Sequence, residues 1–226
     1  MVTSATSLLI TFPYKSISFK YSSIRKSFMQ VERARKIRRI SADTNVLLDV
    51  PNYYFLKARD SLNQEERELL KRCASSLEVL VMCLTEGIKI ERIGLKVVER
   101  ELAKHPTMLR LYFIVFKPSP KPTPQIKKLA KMYTQQTHLK PADALLLASA
   151  SYSGVDILLS WNRDDVVKQP TQKLINEINA RQRVSAPILI TPSDFLSRIY
   201  LSNDKSICFS PSPVPQIYRP QFFLPR

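Results

Sequence analysis

The sequence predicts an α/β protein, a three-layer α/β/α sandwich with a central parallel sheet. Segments with helical periodicity alternate along the chain with short apolar segments of strand length. These short segments are continuous apolar runs, which is typical of parallel strands buried on both faces. The length of 226 residues suits one domain.

In the first half of the core, two strands are predicted to enclose two helices. Asn63 and Glu66 form a plausible capping pair for the first helix, and Gly87 is a plausible end for it. The predicted elements are a strand within 38–48 that runs into a loop at 43–45, helices at 63–86 and 95–104, and a strand at 111–116.

In the second half, helices and strands alternate more regularly. Prolines at every second position of residues 117–124 predict an extended connector, with Thr123 capping the helix that follows. The predicted elements are helices at 124–137, 141–154, 171–181 and 193–200, and strands at 155–160 and 187–191.

Positive charge is spread unevenly over the chain. The net charge is +16, of which residues 1–40 hold +8, residues 41–116 hold none and residues 117–203 hold +6. A basic body around a segment rich in carboxylates suits an anionic polymer such as RNA, whereas the alternative is a solvated surface with a basic tail. The three glycines argue against glycine-rich phosphate loops.

The two ends of the chain differ from the core. Residues 1–37 are predicted to be a basic, poorly ordered extension, residues 38–203 the domain, and residues 204–226 a Pro/Ser-rich disordered tail. Residues 1–31 lack acids and faintly resemble an organellar transit peptide, whereas translation from Met29 is the plainer account.

Cysteine content and hydropathy bear on location. Cys73, Cys83 and Cys208 are odd in number and lack metal-ligand spacing, which indicates reduced thiols and a cytoplasmic protein. No apolar run approaches the roughly 18 residues that a membrane span needs.

Several acidic residues and one asparagine follow predicted strands or begin the next helix, where ligands gather in parallel sheets. Singly, each has a plainer explanation as a turn former, a helix-dipole acid or a solvated charge. Together they would repel one another, and a hard cation such as Mg²⁺ or Mn²⁺ would relieve the repulsion. The residues are Asp43, Glu99, Glu101, Asp143, Asn162, Asp164 and Asp165.

Three segments in order resemble the PIN domain, a ribonuclease fold that includes the VapC toxins. They are residues 40–48 (ISADTNVLL), 140–154 (KPADALLLASASYSG) and 155–162 (VDILLSWN), and residues 175–192 also fit the family's closing helix and strand. The resemblance covers about residues 38–200. It implies a PIN-like sandwich that binds one or two Mg²⁺ or Mn²⁺ ions and cleaves single-stranded RNA. It also implies an antitoxin partner and a homodimer as expectations.

Carried over residue by residue, the resemblance assigns Asp43, Glu101 and Asp143 as metal ligands, with Glu99 in reserve for Glu101. Glu99 and Glu101 are two positions apart on a helix, so at most one points inward. Asn162 occupies the fourth position, where the family often has Asp, and Asp164 is a possible substitute. Because of Asn162, a degenerate domain that binds RNA or a protein partner is the alternative function, and an enzyme held inactive by an antitoxin is a third.

Other side chains are expected to support these ligands or to hold RNA. Thr44, Asn45 and Ser160 are expected to hydrogen-bond the ligands. Trp161 is a candidate for base stacking, although a core role is the alternative. The histidines His105 and His138 are expected to be structural. The candidate phosphate contacts are Lys127, Lys128, Lys131, Lys140 and Arg163.

Overall fold

The fold is built on a parallel sheet of four short strands in the order β2–β1–β3–β4. A computed structural model describes residues 39–84, 90–118 and 121–201. Ile40 pairs with both Arg92 and Ile157, and Ile157 pairs with Ile188, so β1 and β3 are the central strands. The strands are β1 (Arg39–Ala42), β2 (Glu91–Arg92), β3 (Ile157–Leu159) and β4 (Ile188–Ile190). The α/β class with a parallel sheet is confirmed.

The described helices connect these strands, two between β1 and β2, four between β2 and β3 and one between β3 and β4, and a last helix follows β4. The described helices are α1 (Thr44–Lys57), α2 (Gln64–Leu84), α3 (Lys96–Leu102), α4 (Pro106–Val115), α5 (Pro124–Gln136), α6 (Pro141–Tyr152), α7 (Gln169–Gln182) and α8 (Pro192–Leu201). No helix in the described ranges is both long enough and apolar enough to cross a membrane.

Local capping signals placed two helix starts correctly. At α2, the Asn63 side chain accepts the N–H of Glu66 and the Glu66 carboxylate accepts the N–H of Asn63, both at 2.9 Å. At α5, Thr123 accepts the N–H of Ile126, and Pro124 occupies the first turn. Both motifs satisfy N–H groups that lack a partner inside the helix. The predicted end of α2 at Gly87 lies outside the described residues.

The predicted loop at residues 43–45 is wrong, because α1 begins there. Asp43 is the N-cap of α1, and its side chain accepts the N–H of Thr44. An aspartate caps a helix with the same short-range hydrogen bond that it makes in a turn, so the sequence pattern fits both. The predicted strand accordingly ends at Ala42, and α1 continues to Lys57 despite Pro51 inside it.

The predicted strand at residues 111–116 is also wrong, since α4 runs from Pro106 to Val115. Met108, Tyr112 and Val115 are buried at helical spacing, whereas Phe113 and Ile114 are exposed. A continuous apolar run of this length fits a buried strand or a buried helix, and periodicity alone does not separate the two.

The terminal predictions fall largely beyond the described part of the chain. The N-terminal extension at 1–37 and the tail at 204–226 lie outside the described residues. What the structure does describe falls within the predicted domain at 38–203.

Candidate metal centre

Asp43 lies at the carboxyl end of β1 and is almost fully buried, with 7% of its surface exposed. Its Oδ1 accepts the backbone N–H of Thr44 at 2.6 Å. Its Oδ2 accepts the Ser160 hydroxyl at 2.7 Å and the Asn45 amide at 2.9 Å. The strand end and the helix start therefore fix this carboxylate in one orientation.

Glu101 on α3 faces this group, whereas Glu99 does not. The Thr44 hydroxyl donates to Oε2 of Glu101, and the negative charge of Glu101 helps to raise the pKa values of both Asp43 and Asp143. Glu99 is 5% exposed and pairs with Lys96. The rotation of α3 thus brings Glu101, and not Glu99, to the cluster.

Asp143, in the first turn of α6, reaches the same place and is linked to Asn162. The Asn162 amide donates to Asp143 Oδ2 at 3.4 Å, and its backbone N–H donates to the Ser160 hydroxyl at 3.1 Å. Because Ser160 also donates to Asp43, residues 160–162 bridge the two aspartates.

Asp165 also belongs to this group, although in the sequence analysis it counted only among the candidate acids and had no role at the metal site. Its backbone N–H donates to Asn162 Oδ1 at 3.0 Å, and its carboxylate pairs with Lys140 at 3.3 Å. Its charge also raises the pKa of Asp143. Asp164, the expected substitute, is exposed. The sequence feature that indicates the position of Asp165 is Asn162, three residues earlier. An Asn side chain in a turn accepts the backbone N–H of a residue that follows it, and here that bond holds the Asp165 backbone beside Asn162.

We call Asp43, Glu101, Asp143, Asn162 and Asp165 the acidic cluster. Burial raises the pKa of Asp43 to about 6, the hydrogen bonds from Ser160 and Thr44 oppose this, and the charges of Glu101 and Asp143 add to it. Burial also raises the pKa of Asp143, and the charge of Asp165 adds to it. The cluster therefore carries more negative charge than its surroundings compensate.

The chemistry of the donors in the cluster fits a hard divalent cation. Such ions prefer carboxylate oxygens, and an added positive charge would relieve the raised pKa values. Within the described residues, Glu101 Oε1 and Asp143 Oδ1 accept no hydrogen bond. No three carboxylate, imidazole or thiolate groups in the described ranges are already arranged to hold a metal ion.

The predicted RNA contacts divide into paired and unpaired cations. Lys140 pairs with Asp165, and Arg163 lies 3.4 Å from Asp194. The other three, which we call the α5 lysines, are exposed and form no ion pair within the described residues. They are Lys127, Lys128 and Lys131.

The side chains of Trp161 and of the two histidines make no hydrogen bond with the acidic cluster within the described residues. The Trp161 indole N–H donates to Ser76 at 2.7 Å, and the Arg72 guanidinium lies 5.3 Å from the centre of the ring system. His105 and His138 are exposed and make no side-chain hydrogen bond among the described residues. Trp161 is thus held by protein contacts on its N–H and on one face.

A scan against family models, a search of curated proteins and a search of solved structures found no match for this chain.

Proposed function

We propose that the chain is a metal-dependent endoribonuclease that hydrolyses single-stranded RNA at the acidic cluster, on a PIN-like three-layer α/β/α fold. The observation that carries the proposal is the convergence of Asp43, Glu101 and Asp143 from three separate elements. Burial and the neighbouring charges raise the pKa values of Asp43 and Asp143, and raised carboxyl pKa values of this kind are characteristic of functional sites.

Asp43, Glu101 and Asp143 would hold Mg²⁺ or Mn²⁺. When bound, the cation supplies a Lewis acid that neutralises charge on the scissile phosphate and lowers the pKa of a water molecule. With a pKa of about 6, Asp43 is mostly ionised at neutral pH and protonated in mildly acidic solution, where cation binding would displace its proton. Its contacts with Ser160, Asn45 and Thr44 orient the carboxylate for this role.

Basic side chains favour an anionic polymer as the substrate, since Lys140 pairs with Asp165 of the cluster and belongs to a long basic stretch of the chain. Residues 102–142, which run from α3 to the start of α6, contain eight Lys or Arg and no Asp or Glu. The α5 lysines belong to this stretch, and Lys140 and Arg163 keep 75% and 60% of their side-chain surface exposed beside their acidic partners. We assign these five cations to backbone phosphates, because such contacts need charge and no base-specific geometry.

Base stacking on Trp161 stays a prediction, since Arg72 already occupies part of one face. The antitoxin, the homodimer and the cytoplasmic location also stay predictions. Each has a direct measurement: capture of a partner from the native host, the mass of the purified chain in solution, and fractionation of cells.

The test is cleavage of a fluorescently labelled single-stranded RNA by the full chain in Mn²⁺ and in EDTA. Asp43→Asn is the site variant. Glu177→Gln is the control, since it also removes one acidic charge but from an exposed position on α7. We expect cleavage by wild type and Glu177→Gln in Mn²⁺, and none in EDTA or with Asp43→Asn. Equal cleavage by wild type, Asp43→Asn and Glu177→Gln would contradict the assignment of the acidic cluster as the cleavage site.

One observation favours the alternative, a domain that binds RNA without cutting it. Both polar groups of the Asn162 side chain are used inside the protein, one on Asp143 and one on Asp165. The fourth position therefore offers no charged oxygen of its own, and Asp165 has to supply that charge. Calorimetry separates the two functions: RNA binding without detectable Mn²⁺ binding supports the alternative.

A further inference from the structure

Trp161, the single tryptophan of the chain, is part of a closed polar network between α1, α2 and the segment after β3. Its indole N–H donates to the Ser76 hydroxyl at 2.7 Å, and that hydroxyl donates to Asp49 at 2.8 Å. Arg72 donates to both oxygens of Asp49 at 3.2 Å and lies over the Trp161 ring system. We call Asp49, Arg72, Ser76 and Trp161 the Trp161 network.

Burying the charged and polar groups of the Trp161 network costs folding free energy that an apolar cluster of the same size would not cost. Asp49 is 2% exposed and Ser76 is fully buried, and burial raises the pKa of Asp49. Apolar residues of similar size would often stabilise such a place as well or better, because they avoid the cost of removing charges from water. What a fully satisfied polar network adds is a single fixed geometry.

That geometry is transmitted to the acidic cluster through the backbone of Trp161. Its N–H donates to Asn45 Oδ1 at 3.2 Å, and the Asn45 amide donates to Asp43. Its two neighbours in sequence are Ser160, which donates to Asp43, and Asn162, which donates to Asp143. The indole therefore holds residues 160–162, a segment that contacts both aspartates.

We propose that the Trp161 network positions the acidic cluster. Helix α2 carries no cluster residue, but its Ser76 and Arg72 contact the Trp161 side chain and so hold residues 160–162 between Asp43 and Asp143. The metal-binding consequence rests on the proposed function, whereas the positioning of the segment does not. Trp161 and Ser76 are positioning residues in this account.

The test compares Ser76→Ala and Trp161→Phe with a matched control, Tyr133→Phe. Each variant removes a buried polar contact, and the Tyr133 hydroxyl bonds Ser151 and Asn179 and no member of the acidic cluster. Three quantities are measured on the full chain: thermal unfolding, Mn²⁺ affinity by calorimetry, and hydrogen exchange of the Trp161 and Asn162 backbone amides.

We expect all three variants to unfold at a lower temperature. Ser76→Ala and Trp161→Phe should also weaken Mn²⁺ binding about 10–100-fold, the usual effect of losing a residue that orients a metal ligand. They should speed exchange of the two amides, whereas Tyr133→Phe leaves affinity and exchange unchanged. Unchanged Mn²⁺ affinity and unchanged exchange in both network variants would overturn the proposal.

Mn²⁺ affinity and amide hydrogen exchange together separate the positioning proposal from the proposed function. If wild type neither binds Mn²⁺ nor cleaves RNA, the proposed function fails, and the amide exchange rates still decide whether the network positions residues 160–162. If wild type binds and cleaves, and the network variants match Tyr133→Phe in affinity and exchange, only the positioning role fails.

Discussion

Replacing Asp43 with asparagine should make the metal-free protein more stable at neutral pH. The pKa of this carboxyl is about 6 in the folded protein and 3.8 when it is exposed to water. Between these two values the folded state keeps a proton that the unfolded state has lost, so stability falls as pH rises. The cost is fully present above about pH 6 and absent below about pH 4.

The size of the effect follows from the shift. A difference of about two pKa units corresponds to about 3 kcal/mol, since each unit is worth about 1.4 kcal/mol. Asparagine caps a helix as well as aspartate does, so the bond to Thr44 survives. The NH2 group of the new asparagine faces the Asn45 amide and the Ser160 hydroxyl, which donate to Asp43 in wild type. Losing these two hydrogen bonds lowers the free energy of unfolding by about 1–2 kcal/mol. The net gain is about 1–2 kcal/mol, or about 2–8 °C in Tm for a chain of this size.

The assay is urea unfolding of wild type and Asp43→Asn in EDTA at several pH values from 4 to 7.5. The variant should be the more stable protein at pH 7.5, and its advantage should shrink towards pH 4. Glu177→Gln serves as the control and should show no such trend. A stability difference that does not change with pH would refute a buried Asp43 with a raised pKa.

Four further predictions concern the acidic cluster, the α5 lysines and the Trp161 network. Mn²⁺ should raise the Tm of wild type more at pH 7.5 than at pH 5, because Asp43 must lose its proton, and calorimetry at both values checks the affinity directly. Asp165→Asn should lower the pKa of Asp143, which carboxyl NMR titration in EDTA would show as a shift towards acid. Replacing the three α5 lysines with glutamine should weaken RNA binding and reduce the slope of log affinity against log salt by about 2, measured by fluorescence anisotropy, with kcat unchanged. Arg72→Met should cost about 1–3 kcal/mol in urea unfolding, because it leaves the buried Asp49 without its cation while Arg72 itself is partly exposed.

The parts of the fold that were predictable from sequence are those set by neighbours along the chain. The reciprocal bonds of Asn63 and Glu66 and the cap at Thr123 involve residues three positions apart, so a short pattern specifies them. The start of α1 was not predictable, because Asp43 serves a turn and a cap equally well. The run at residues 111–116 became a helix because tertiary contacts favoured a face that buries Tyr112 and Val115.

The candidate site shows the same division. The positions of Asp43 and Asp143 at one sheet edge follow from where strands end and helices begin. The choice of Glu101 over Glu99 depends on how α3 is rotated against the sheet, which only its packing determines. Asp49 and Ser76 are 27 positions apart, and Ser76 and Trp161 are 85 apart, so no local pattern indicates that they meet.

The most direct test of the metal-dependent nuclease is the initial rate at which the full chain cleaves a single-stranded RNA in Mn²⁺, compared between wild type and Asp143→Asn. The acidic cluster predicts a loss of at least about 100-fold in the variant, at unchanged secondary structure, and the same loss for wild type in EDTA. Cleavage at the wild-type rate in the variant and in EDTA would contradict it.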